Sequence, residues 1–139
     1  MPGYGRTELE WEELAAAGRG YLIEVAEDGR LTTYSELNAT LVERTGLAGF
    51  DFSRADHRAA VGHLLWLVVQ SGRPGEEPML SALVRYERGN DAGSGFYALA
   101  QELGLLSLGA SALEKERFWT AQVNELHAAH ARRRGPGVG

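Results

Sequence analysis

Ser81, four histidines and a scatter of arginines are the side chains in this 139-residue sequence that could do chemistry. Ser81 sits in the apolar run PMLSALV at 78–84. A serine attacks only when a base takes its proton and a third group orients that base. Nothing in the spacing puts His57 or His63 beside it, and a small residue at a tight packing point explains Ser81 equally well. His57 and His63 stand six residues apart and do not share a helix face. His127 and His130, three apart, can share one, but no carboxylate or third ligand accompanies them. Zinc takes three or four ligands, so no metal site is expected. The chain has no cysteine, which removes thiolate ligands, cysteine nucleophiles and disulfides and fits a reducing, cytoplasmic location. GRG at 18–20 and GSG at 93–95 lack the preceding strand and following lysine of a phosphate-binding loop. No catalytic set and no cofactor are therefore expected. A deep pocket holding Ser81 beside His57 or His63 would speak for an enzyme.

The arginines form a more suggestive pattern. Arg54, His57 and Arg58 fall at i, i+3 and i+4 and share one helix face. They stand at the start of an expected third helix, where the helix dipole favours phosphate and where a recognition helix meets the major groove. Arg85 and Arg88 flank the Gly-rich turn ERGNDAGSG and could add salt-dependent phosphate contacts. Ordinary solubilising pairs with Asp56, Glu87 and Asp91 explain the same residues, and both readings stay open.

The elements that must position these residues follow from periodicity and caps. Thr7 and Glu10 have capping-box spacing, and Trp11, Leu14, Gly18, Leu22 and Val25 recur at helical intervals, predicting a helix from about 8 to 27. Gly18 weakens it by roughly 1 kcal/mol relative to alanine, a cost that a close helix–helix approach would offset. Asp28-Gly29 marks a turn, LTTY a short β-prone piece, and Thr33 or Ser35 the cap of a second helix carrying Leu37, Leu41 and Val42 and closed by Gly46. LAGFDF supplies two aromatics to plug the core. Ser53 and Asp56 open the third helix, about 54 to 71, whose second half LLWLVV is apolar all round and so expected to be buried all round as the central helix. Met79 to Arg85 reads as a buried strand. Phe96, Leu99 and Leu103 give a short helix closed by Gly104, and Ser111 with Glu114 caps a last helix, about 112 to 132, burying Leu113, Phe118, Trp119, Val123 and Leu126.

The expected fold is mainly α with a small β element, an α+β domain of winged helix-turn-helix type. Residues 1–6 are expected to be a flexible leader, 7–132 a single globular domain and 133–139 a disordered tail. Hydrophobic residues make up 44% of the chain, enough for a core, and no apolar run approaches the roughly 20 residues of a membrane span. Net charge is −5, all of it from residues 1–28, which hold seven acids and two bases. The remainder is balanced and shows no strong electrostatic footprint for nucleic acid.

Four segments in order resemble the C-terminal DNA-binding domain of the O6-alkylguanine-DNA alkyltransferases and alkyltransferase-like proteins: GRLTTYSEL at 29–37, HRAAVGHLL at 57–65, PMLSALV at 78–84 and GSGF at 93–96. The resemblance covers about residues 29–125 and implies a winged-helix scaffold. It puts Tyr34 at the tyrosine that contacts the backbone beside a flipped nucleotide and Arg58 at the arginine that enters the base stack. Ser81 then stands where the family has its cysteine, with Ala82 and Leu83 at the histidine and arginine that follow it. Without a thiolate there is no alkyl transfer by the family's route.

Two partner classes follow. One is double-stranded DNA, bound without catalysis through Tyr34, Arg54, His57, Arg58, Arg85 and Arg88. The other is a protein partner or a second copy of the chain, met by the acidic first helix; a membrane is not expected.

Overall fold

The computed structural model describes residues 5–72, 77–85 and 94–131. Its elements are α1 (Glu8–Glu27), β1 (Thr32–Thr33), α2 (Tyr34–Thr45), α3 (Ala55–Gln70), a 3-10 turn (Leu80–Leu83), β2 (Val84–Arg85), α4 (Ser94–Glu102) and α5 (Ala112–His130). The architecture is mainly helical with a small β element, as expected. None of the described helices is long and apolar enough to cross a membrane.

Local signals set most boundaries. Thr7 and Glu10 form a reciprocal capping box on α1, and Ser111 and Glu114 form another on α5. Thr33 rather than Ser35 caps α2, and Gly46 closes it at φ 73°, in the left-handed region that glycine enters without steric cost. At α3 the expectation fails. The N-cap is Arg54, whose side chain makes no cap bond, while the Ser53 hydroxyl donates to Asp51 Oδ1 at 2.6 Å. Ser53 closes a small loop on Asp51 and leaves the helix end without a side-chain cap.

The helix that organises the core is α1, not α3. It packs against α2, α3, α5 and the 3-10 turn through Leu14, Leu22 and Val25, all essentially fully buried. Gly18 faces α2 and α3, and an added Cβ there would lie 3.4 Å from Val68 Cγ2 and 3.8 Å from Leu41 Cδ2. The approach is close, though one methyl still fits. On α3, Ala60, Val61, Leu64, Leu65, Val68 and Val69 are buried, but Trp66 is 37% exposed and Leu67 half-buried. The apolar-all-round second half is therefore not buried all round; one flank looks outward. On α5, Trp119 and Leu126 are buried as expected, but Leu113, expected to be buried, is 55% exposed in the first turn.

Met79 to Arg85 is not a strand throughout. Leu80–Leu83 winds into a single 3-10 turn, and only Val84–Arg85 extends. A short apolar run without period fits either state. Here α5 decides it. Trp119 Nε1 donates to the Ala82 carbonyl at 2.7 Å, and the Gln122 Oε1 accepts from the Met79 N–H at 2.7 Å. These bonds hold the segment from behind in the tight turn. β2 then pairs parallel with β1, Thr32 opposite Val84 and Thr33 opposite Arg85. Parallel neighbours need a crossover, and α2 and α3 supply it. The buried Thr32 hydroxyl is satisfied by Tyr21 Oη at 2.6 Å. Of the turn expected as a wing, residues 87–93, Arg88 among them, lie outside the described residues, while Ser94 and Gly95 are not turn but open α4; the tail 133–139 also lies outside. At the other end Arg6, expected in a loose leader, donates to the Ala48 carbonyl at 2.6 Å and lies 4.7 Å over the Phe50 ring.

Candidate functional site

The predicted cationic cluster does sit together at the start of α3, but its polar groups are already engaged. Arg54 lies fork-on to Asp56, with Nε and Nη2 at 3.1 and 3.0 Å from the two carboxylate oxygens. That bond raises the guanidinium pKa and lowers the Asp56 carboxyl below its usual range. His57 Nδ1 accepts from the Asp51 N–H at 2.7 Å, which fixes Nδ1 as the unprotonated ring nitrogen. Arg58 Nη1 donates to the Phe52 carbonyl at 2.7 Å. Loop 51–53 is thus tied down onto the first turn of α3 by His57 and Arg58. Asp51, held low by bonds from the Ser53 hydroxyl and N–H, adds a second negative charge beside Arg54. The helix end is a balanced set of charges, not a concentrated positive patch.

Among the described residues no three His, Cys, Asp or Glu side chains come together. His127 Nε2 is 3.0 Å from the Arg30 carbonyl oxygen. The His63 ring stands edge-on to Trp11 at 4.8 Å and stacks on Trp66 at 5.9 Å. Neither His57 nor His63 reaches Ser81, whose hydroxyl has no hydrogen-bond partner among the described residues. The base that would make it a nucleophile is not in place.

A different feature dominates. Between the start of α2, α3, the 3-10 turn and α4 lies a cavity of about 810 Å³. Tyr34 and Ser35 enter from α2, and Phe52 from the tied-down loop, its ring edge-on to Tyr34 at 6.1 Å. α3 contributes Arg58, Val61, Gly62, Leu65 and Trp66. Ser81 comes from the 3-10 turn, and Phe96, Leu99 and Glu102 from α4. The exposed Arg58, Trp66 and Glu102 stand toward solvent, while Ser81 is only 2% exposed.

Of the residues picked out in the sequence, Tyr34, Arg58 and Ser81 meet in this cavity, and Arg54 and His57 lie on the neighbouring turn. Arg85 is half-buried on β2, with polar contacts of its own, and is not part of the lining. Phe52, Trp66, Phe96 and Leu99 were read only as core. A signal exists for Trp66 alone: LLWLVV carries more apolar surface than a helix with one buried side needs.

Fold and site together define a mainly helical α+β domain with an aromatic-walled cavity beside a charge-balanced helix end. Comparison with protein-family models, with curated proteins and with solved structures finds no match for the chain.

Proposed function

We propose that this chain is a non-catalytic DNA-binding domain of winged-helix type. In this reading α3 faces the major groove of double-stranded DNA, with Arg54, His57 and Arg58 toward it. Tyr34 meets the backbone, and Arg85 and Arg88 contact phosphates from the β2 side. The observation that carries the reading is the meeting of Tyr34, Arg58 and Ser81 around one cavity, although they stand far apart in sequence. These are the positions that the alkyltransferase-like resemblance assigns to the backbone contact, the stack-entering arginine and the missing thiol. The unpartnered Ser81 hydroxyl supports binding without group transfer.

The test is titration of duplex DNA at low salt, followed by rising salt. Affinity is expected to fall steeply with salt, and Arg85→Ala to reduce the salt slope by about one. Arg54→Glu with Arg58→Glu should abolish binding. Absence of any binding at low salt rejects the reading.

One observation favours a second reading, an acidic protein-interaction or assembly domain. Leu9 is 66% exposed on α1, flanked at i+3 and i+4 by the exposed Glu12 and Glu13. A partner there would be basic around an apolar centre. Light scattering of the chain, with Leu9→Asp as control, decides whether that partner is a second copy. A strict monomer that retains no basic protein counts against it.

A further inference from the structure

We infer that the chain pairs with a second copy of itself, each copy setting the apolar loop between α4 and α5, led by Leu108, into the groove between α3 and α4 of the other. This goes beyond both readings above, since it needs no DNA and does not use α1.

The loop is a ready-made knob. Leu108 is 85% exposed and Leu113 55%. One exposed leucine is ordinary, but these two bracket a stretch, LLSLGASAL at 105–113, without a single ionised side chain. The loop is also held in shape. The Ser107 carbonyl accepts from Gln101 Nε2 at 3.0 Å and from the Ala110 N–H at 3.1 Å, and Ser107 Oγ accepts from the Gly109 N–H at 3.2 Å. A loop tied by its own bonds loses little freedom on docking.

The groove is the cavity described above, seen from outside. It is open to solvent: Gly62 and Trp66 on α3 and Ala98 on α4 line it and are exposed. Val61, Leu65 and Leu99 give it an apolar floor. An uncharged loop enters such a place without stripping water from a charge. Leu108 does not fill the groove of its own chain, since it stands almost wholly in solvent.

A second copy fits on two further grounds. Glu102 at the rim is six residues before Leu108, so knob and groove are neighbours along one segment. Two copies can then exchange knobs about one two-fold axis, and such a closed exchange stops at two. The charges also match. The rim carries Arg58 and Glu102, and the first turns of α5 beside the knob carry the exposed Glu116 and Arg117, so each rim charge can face its opposite. Leu9 offers no such pairing, because Glu8, Glu12 and Glu13 around it would meet their own copies.

The experiment is sedimentation equilibrium of the full chain without DNA over a range of concentrations. The parent is expected to form pairs and nothing larger. Leu108→Asp carries a charge into the groove and should weaken pairing at least about tenfold. In dilute protein its unfolding midpoint should not change, since so exposed a side chain packs on little. Gly62→Leu fills the groove instead. An added Cβ at Gly62 meets nothing within 4 Å, so the fold tolerates it, and pairing should weaken by a similar factor. The first variant keeps the groove and the second keeps the knob. Mixed, they should form a heteropair through one intact contact, tighter than either variant alone. Leu9→Asp should pair like the parent. The inference is overturned if the parent stays monomeric up to about 1 mM, if it grows past two copies, if either folded variant pairs as well as the parent, or if the mixture associates no better than its components. A monomeric parent would leave the DNA reading where it stands.

Discussion

Trp119 on the last helix donates its indole N–H to the carbonyl of Ala82 at 2.7 Å, a buried bond across 37 residues. It clamps the 3-10 turn that carries Ser81, so the depth of the cavity depends on α5, which does not itself line it. Replacing Trp119 by Phe keeps most of the apolar surface and removes the donor. Losing one side of a buried hydrogen bond costs about 1–3 kcal/mol. Urea unfolding followed by circular dichroism should show a loss of that size. A variant as stable as the parent would mean that the bond adds nothing to the clamp.

A second clamp holds the front of the cavity. The Asn38 side chain on α2 accepts from the Phe50 N–H at 2.8 Å and donates to the Phe50 carbonyl at 3.1 Å, as a neighbouring strand would. This fixes the loop that delivers Phe52 to the cavity wall. Asn38→Ala leaves both backbone groups of Phe50 short of a partner in a half-buried place, at a cost of about 1–3 kcal/mol. Asn38→Asp keeps the acceptor and loses the donor, so its effect should be smaller but in the same direction. Thermal unfolding of the two variants against the parent gives the order.

Gly18 offers a test with two signs. Alanine in place of a helical glycine is worth up to about 1 kcal/mol, and the added Cβ would lie at ordinary contact distance, 3.4 Å, from Val68. Gly18→Ala should therefore stabilise the chain. Gly18→Leu drives a branched side chain between α1 and its two partners, and overpacking of that kind costs about 1–3 kcal/mol. If Ala destabilised as much as Leu, the helices would be closer than they stand here.

What was legible in the sequence was local. Thr7 with Glu10 and Ser111 with Glu114 cap their own helices, Thr33 caps α2, and Gly46 ends it in the one conformation that calls for glycine. Each involves residues within four positions. What was hidden depends on distant partners. LSAL becomes a 3-10 turn because Trp119 and Gln122 hold it, and neither choice shows in those four residues alone. The β1–β2 pairing joins Thr32 to Val84 across two helices. Arg54, His57 and Arg58 were found as a group, because i, i+3, i+4 spacing is local. That Asp56, Asp51 and Phe52 already occupy them was not, apart from the possible Asp56 pair. Tyr34 came from a resemblance, Arg58 from its helix spacing and Ser81 from its own side chain, and the cavity around them from the outward flank of α3, which only the packing of α1 reveals.

The start of α5 should respond to acid with a definite sign. Glu114 accepts from the Ser111 backbone N–H at 3.1 Å while its own N–H donates to Ser111 Oγ at 3.1 Å. The bond from the Ser111 backbone, then that from its side chain, holds the Glu114 carboxyl below its ordinary value. A carboxyl lowered on folding stabilises the protein above its unfolded pKa, about 4.3, and ceases to do so as pH falls through the folded pKa. Glu114→Gln cannot ionise, although its amide oxygen can still accept. The parent should therefore be the more stable of the two at pH 7, and the gap should close as pH falls from about 5 through the unfolded value and then through the lower folded one. Asp51 and Asp56 are lowered too, but they are present in both proteins and cancel in the comparison. Denaturant unfolding of the pair across that range checks it. A gap that stays constant with pH would show that the cap works through the hydrogen bond alone and not through the charge.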